Sequence, residues 1–231
     1  MRYIVTSDIH LGSKYCRAEL FNQLIERLHP DVCLTLAGDV VDDPRKRLTD
    51  ADAEAIRLLA KRSEESRVIW VNGNHDDLHR PTVPGQMEFH ETYRIDDRLL
   101  VAHGHRFDNV MSHNGWFIQC FKFFHAMRIR LGAPPVHVAD YAKKFHPLYA
   151  FLRNNVRQNA MENAREVGVP AVACGHVHYA EDTCRDGIRY FNLGAWTEEP
   201  TYCLLLGHDS MELLPTPEAM QRSDWFRGED A

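Results

Sequence analysis

The chain has 231 residues, 44% hydrophobic and 26% charged, a balance that reads as a soluble globular protein long enough to bury one full core. No apolar run approaches the roughly 20 residues needed to span a bilayer, and a formal net charge of -6 gives no global positive field, so general nucleic-acid binding is not expected. The opening MRYIVTSD turns polar too early for a signal peptide, and the six cysteines are scattered without a CxxC pair, so a reducing, cytoplasmic setting is expected.

In chain order, Tyr3-Ile4-Val5-Thr6 predicts a buried strand, and Leu20, Phe21, Leu24, Ile25 and Leu28 follow at helical spacing. Val32 to Ala37 predicts the next strand. Thr49 with Asp52 reads as a capping box, and Ile56, Leu59 and Ala60 continue its helical face. Strand character returns at Val68 to Val71, Arg98 to Ala102, Ala171 to Cys174, Tyr190 to Leu193 and Tyr202 to Leu206. Strands alternating with helices early and following one another late predict an α/β sandwich with mixed sheets. The segment from about Pro215 is polar and reads as peripheral.

The chemistry lies in the polar residues at the strand exits. Ser7-Asp8-Ile9-His10 comes after the first strand, Gly38-Asp39 after the second and Asn72-Gly73-Asn74-His75-Asp76 after the third. His103-Gly104-His105 and Gly175-His176-Val177-His178 come after two later strands. Each puts metal-ligating side chains at the carboxyl end of a strand, the edge of an α/β sheet where loops distant in sequence converge on ligands. Other histidines, such as His90, His125 and His208, lack that context and read as surface, cap or partly buried residues. Ser7 has no base partner, which argues against a serine hydrolase.

Carboxylates, imidazoles and an amide oxygen without thiolates suit Mn²⁺, with Fe²⁺ or Zn²⁺ also compatible. The donors are too many for one ion. Two ions about 3.5–4 Å apart, sharing a carboxylate, would use them all and would clamp both oxygens of a phosphoryl displacement. His176 and His178, at i and i+2, would then face the same pair and each take a different ion.

The series DxH, GD, GNHD, HGH and GHxH over residues 8 to 178 resembles the calcineurin-like metallophosphoesterase superfamily. The resemblance implies a two-sheet αββα sandwich forming a single domain over residues 1–231, with an inserted helical lid at about 108–165. It implies one ion on Asp8, His10, Asp39 and His178 and another on Asp39, Asn74, His103 and His176, with Asp39 as the bridge. It also implies that His75 faces the phosphate as the catalytic histidine and that Asp76 orients it. SDIHLG, AGDVVDD, NLGAW and the long insertion further resemble the UDP-2,3-diacylglucosamine hydrolases of lipid A synthesis, which release UMP and a lipid-linked sugar 1-phosphate. The best-known branch of that group has arginine where this chain has His75, and HGD where it has His103-Gly104-His105. The alternatives are a phosphodiesterase or phosphatase acting on nucleotides or phosphoproteins, and a metal-bearing scaffold without catalysis.

The insertion carries WFIQCFKFFHAMRIRL, Trp116 to Leu131, in which aromatics and Met127 stand among Lys122, Arg128 and Arg130. Such a basic amphipathic helix suits either the core or a lipid and its phosphates. The expected substrate contacts are Phe121, Phe124 and Met127 for acyl chains, and Arg128, Arg153 and Arg157 for phosphate oxygens, with peripheral contact to the cytoplasmic face of the inner membrane.

Overall fold

The computed structural model describes residues 1–43, 45–76, 86–110, 115–134 and 141–228, with only the backbone described over 115–122. The first apolar runs build one sheet. β1 (Arg2–Thr6) pairs in parallel with β2 (Val32–Ala37), and β2 with β3 (Val68–Val71), Ile4 lying beside Leu34 and Leu36 beside Trp70. α1 (Ala18–Arg27) and α2 (Asp50–Glu65) are the crossovers. The predicted capping box is present at the start of α2, with the Thr49 side chain accepting from Asp52 N and the Asp52 side chain accepting from Thr49 N. β4 (Glu88–His90), β10 (Tyr202–Leu206) and β11 (Met211–Pro215) complete the order β11-β10-β1-β2-β3-β4.

The second sheet has the order β5-β6-β7-β9-β8, from β5 (Thr92–Ile95), β6 (Leu99–Ala102), β7 (Ala171–Cys174), β8 (Glu181–Arg185) and β9 (Ile188–Asn192). Its three central strands are parallel and its edge strands antiparallel. Successive side chains on a strand point to opposite faces, and that alternation sorts the core into layers. Ile4, Leu34 and Trp70 pack with Phe21, Leu24 and Leu59 of α1 and α2. Tyr3, Val5, Cys33 and Ile69 meet Leu99, Val101, Ala173 and Phe191 between the sheets. Leu100, Val172 and Tyr190 pack on Ala160, Met161 and Ala164 of α4 (His146–Val167). The result is the expected two-sheet sandwich with helices on both outer faces.

The C-terminal segment departs from its expected peripheral position. After α5 (Thr216–Ala219), Trp225 and Phe226 are buried in the α1–α2 core, and Phe226 bridges to Leu28. Burying such side chains is worth about 1.5–3 kcal/mol each, enough to hold a polar tail down.

The insertion supplies α3 (Gly115–Arg130) and α4. The second half of α4 is core, whereas α3 leaves Phe123, Phe124 and Met127 60%, 66% and 42% exposed. The Phe121 side chain lies outside the described residues. Among the described residues no helix is long and apolar enough to cross a membrane.

Candidate metal centre

The loops leaving β1, β2, β3, β6 and β7 meet at one corner. Asp8 N donates to Gly38 O at 3.0 Å and His10 N to Asp39 O at 3.0 Å, so the first two exits run side by side. Gly175 N donates to His103 O at 2.9 Å, pairing the exits of β6 and β7. His176 N bridges the sheets by donating to Asp8 Oδ1 and Oδ2 at 3.2 and 3.1 Å.

Five of these side chains stand on left-handed backbone, with φ between 52° and 68° at Asp8, His10, Asp39, His176 and His178. This region costs L-residues about 1–2 kcal/mol each, and Asp and His enter it more readily than bulkier types. Clustered strain of this kind is held by its surroundings and is typical of functional sites. Two glycines permit the packing. A Cβ on Gly73 would lie 2.2 Å from Asp39 Oδ1, and one on Gly175 would lie 1.9 Å from Asp8 Oδ2.

The donor atoms converge as a cation site requires. His10 Nε2 and His178 Nε2 lie 3.2 Å apart, and Asp8 Oδ1 is 3.0 Å from the latter. His103 Nε2 is 3.3 Å from Asp39 Oδ2 and 3.2 Å from Asn74 Oδ1. Among the described residues, three groups hold donors within 4.8 Å of one another: Asp8 with His10 and His178, His10 with Asp39 and His75, and Asp8 with Asp39 and His103. Two imidazole nitrogens facing each other beside buried carboxylates need a proton or a cation between them. Carboxylate, imidazole and amide donors in this number fit divalent ions of intermediate hardness.

The electrostatics agree. Burial opposes a charged His10, yet Asp42, Asp8 and Asp39 together raise it to about 10. Burial likewise opposes a charged His103, and Asp39 and Asp8 raise it to about 9. Burial opposes ionisation of Asp8 and Asp39, but the facing histidines hold both well below the usual carboxylate range. The corner thus balances negative side chains against protons that a cation can replace. Burial, with His103 and His176 nearby, pushes His105 down to about 4, so it stays neutral.

The profile of the calcineurin-like phosphoesterase family matches residues 1–180. The chain belongs to that family. It is a metal-dependent phosphoester hydrolase. Among solved structures, Yfce, a phosphoesterase from E. coli, is similar at 17% identity, with 99% of this chain and 97% of that one covered and a TM-score of 0.50. Vps29 from Entamoeba histolytica complexed with Zn²⁺ is similar at 13% identity, covering 93% and 97% at a TM-score of 0.43. An archaeal phosphodiesterase is similar at 13% identity, covering 93% and 99%, also at 0.43. These likenesses are of fold. No curated protein sequence matches significantly.

Several side chains stand elsewhere than the motifs imply. The Asp76 carboxylate is taken up by backbone donors rather than by the His75 ring. It accepts from Val40, Val41 and Gly73 N at 3.2, 3.4 and 3.0 Å, tying the second and third strand exits together. His75 Nδ1 instead meets Asp42 O at 2.5 Å, while Asp42 Oδ1 lies 3.4 Å from His10 Nδ1. Asp42 therefore backs two histidines at once, one through its carbonyl and one through its carboxylate. His75 Nε2 is 3.8 Å from Asp39 Oδ2, inside a donor group. His176 turns Nε2 to Asp108.

The three arginines expected to hold phosphate face protein partners. Arg157 Nη1 donates to Glu181 Oε1 at 2.6 Å, and Arg153 Nε lies 3.3 Å from Glu181 Oε2 with its guanidinium over Tyr179. Arg128 donates to Pro134 O at 2.9 Å and stacks on Tyr141. Trp196 packs against Phe21 and donates to Thr6 Oγ1 at 2.7 Å, and Asn192 donates to Gly175 O at 2.7 Å. The NLGAW stretch thus supports the site from beneath.

Proposed function

We propose that the chain hydrolyses a phosphoester or pyrophosphate whose other half is lipid, and that UDP-2,3-diacylglucosamine, cleaved to UMP and 2,3-diacylglucosamine 1-phosphate, is the best-fitting substrate. The observation that carries this reading is the exposed apolar surface of the insertion, part of which docks on the metal corner. Phe123, Phe124, Met127 and Leu131 on and after α3, with Leu148 and Phe151 on α4, are exposed. The same insertion docks on the rim of the corner, where Lys143 pairs with Glu198 and Tyr149 donates to Val177 O. A single domain carrying a lid over about 108–165 accounts for that arrangement, and the apolar face gives the lid a place to meet the cytoplasmic leaflet of the inner membrane.

In this reading Asp8, His10, Asp39 and His178 hold one ion, and Asp39, Asn74, His103 and His176 the other, with Mn²⁺ the first choice for such donors. A bound ion pair polarises the phosphoryl group and supplies hydroxide at neutral pH. His75, with Nδ1 fixed on Asp42 O, directs Nε2 to the phosphate and supports the departing oxygen. Asp76 fixes the loop on which His75 stands.

One observation favours a second reading, a phosphodiesterase for small nucleotides. Arg128, Arg153 and Arg157 are already engaged within the protein, so a substrate needing only the metal corner is served as well. The test compares kcat/KM for a lipid-linked UDP sugar and for a small activated phosphodiester in Phe124→Ala and Met127→Ala. Lost burial of about 1.5–3 kcal/mol per side chain corresponds to a selective loss of roughly tenfold to a hundredfold on the lipid substrate. Equal losses on both substrates favour the small-nucleotide reading.

A further inference from the structure

The histidines at the corner have oxygen atoms behind them. His10 Nδ1 lies 3.4 Å from Asp42 Oδ1, His103 Nδ1 2.9 Å from Ala37 O and His75 Nδ1 2.5 Å from Asp42 O. In each of these the nitrogen turned to the donor cluster is Nε2. His176 is reversed. Its Nε2 lies 3.1 Å from Asp108 Oδ2. A carboxylate only accepts hydrogen bonds, so Nε2 carries a proton, which leaves Nδ1 as the nitrogen through which this ring would meet a cation. Nδ1 is on the side of the ring next to the residue's own backbone, whose N–H already meets Asp8.

Asp108 is fixed in that position. It is 2% exposed and follows a 3-10 turn over His105–Phe107. Its Oδ1 accepts from Val110 N at 3.1 Å. On either side of it, Asn159 of α4 donates to Phe107 O at 2.7 Å, and Asn109 N donates to Asn155 Oδ1 at 3.2 Å. The carboxylate that orients His176 is therefore carried by the first residues of the insertion and held there by α4.

We propose that Asp108 is a positioning residue of the metal centre: it fixes the tautomer and the ring orientation of His176, and so couples the seating of the inserted helices to the affinity for one of the two ions. This rests on His176 being a ligand. Carboxylates behind metal-bound histidines typically contribute about 10–100-fold to metal affinity.

The test is a calorimetric Mn²⁺ titration of the full chain, wild type and variants, with thermal melts as a check of folding. His176→Ala should weaken one of two binding events; two unchanged events in that variant would remove the ligand reading on which the inference rests. Given that weakening, Asp108→Ala should reduce the same event by about 10–100-fold and leave the other unchanged. Asp108→Asn keeps the shape but offers one acceptor to two donors, so it should show a smaller loss, and it serves if the alanine variant does not fold. Asn159→Ala removes a bond to the same turn without touching His176 and should lose less than Asp108→Ala. The double variant Asp108→Ala/His176→Ala should bind like His176→Ala alone, because the two act as one unit. Nitrogen NMR of His176 in the Zn²⁺-loaded protein should show protonated Nε2 in the wild type. Wild-type affinity in both Asp108 variants, additive losses in the double variant, or a proton on Nδ1 would each overturn the proposal.

Discussion

Gly175→Ala tests whether the metal corner is built on the close approach of a carboxylate to a glycine. A Cβ there would sit 1.9 Å from Asp8 Oδ2, 2.5 Å from Ser7 Oγ and 2.8 Å from Ser7 Cβ, where ordinary contact begins at 3.4 Å. The Asp8 carboxylate would have to retreat by about 1.5 Å, and overpacking a rigid site typically costs about 1–3 kcal/mol. It has little room to do so. Asp8 is fully buried, its backbone N–H and C=O bond to Gly38 O and Trp196 N, and its carboxylate accepts from His176 N. Ligand distances must hold to about 0.2 Å for a metal to bind well, so the displacement should abolish tight binding at the Asp8–His10–His178 group. Calorimetry with Mn²⁺ would read the loss of one binding event, and a thermal melt would read a modest fall in Tm. Wild-type affinity for two ions in a folded Gly175→Ala protein would refute the reasoning.

Two further variants separate ligand from catalyst. Asp39→Ala should remove an ion and nearly all turnover, while His75→Ala should keep both ions and lose about 10²–10⁴-fold in rate. An ion loss in His75→Ala equal to that in His103→Ala, read by metal content, would make His75 a ligand, as its place beside His10 and Asp39 allows. Proton release gives the remaining prediction. Without metal, His10 and His103 stay protonated up to about 10 and about 9, above the usual 6.5. Their ion pairs therefore stabilise the metal-free fold fully below about 6.5, and the contribution fades as pH rises through about 9 to 10. Mn²⁺ binding at pH 7 must displace those protons, so affinity should rise with pH and the calorimetric enthalpy should vary with the buffer's heat of ionisation. An enthalpy independent of buffer would contradict the assignment.

Whatever is local or periodic in this protein is readable from the residues alone. Apolar runs of four to six residues mark β1, β2, β3, β7 and β10, and the Thr49–Asp52 pair marks the start of α2. The polar residues after β1, β2, β3, β6 and β7 are legible as one site because parallel strands bring their carboxyl ends to a common edge. The half-buried edge strands β4, β5, β8 and β11 are not legible because they present no apolar run; their stability comes from pairing with a neighbour. Trp225 and Phe226 read as tail residues because isolated apolar residues have no period, yet α1 and α2 leave a surface that takes them. The matching of donors to acceptors comes from the folded chain. Asp42, Asp76 and Asp108 are chemically alike, and the family resemblance implies Asp76 as the partner of its neighbour His75. Hydrogen bonding instead assigns Asp76 to three backbone N–H groups and Asp108 to His176, 68 residues away, while the Asp42 carboxylate stands 3.4 Å from His10 Nδ1. Arg153 and Arg157 are likewise free to seek phosphate as letters in a row, until the fold places Glu181 within reach. A charge declares its sign in the sequence, but its partner is chosen by distance, and distances between remote residues exist only once the chain has folded.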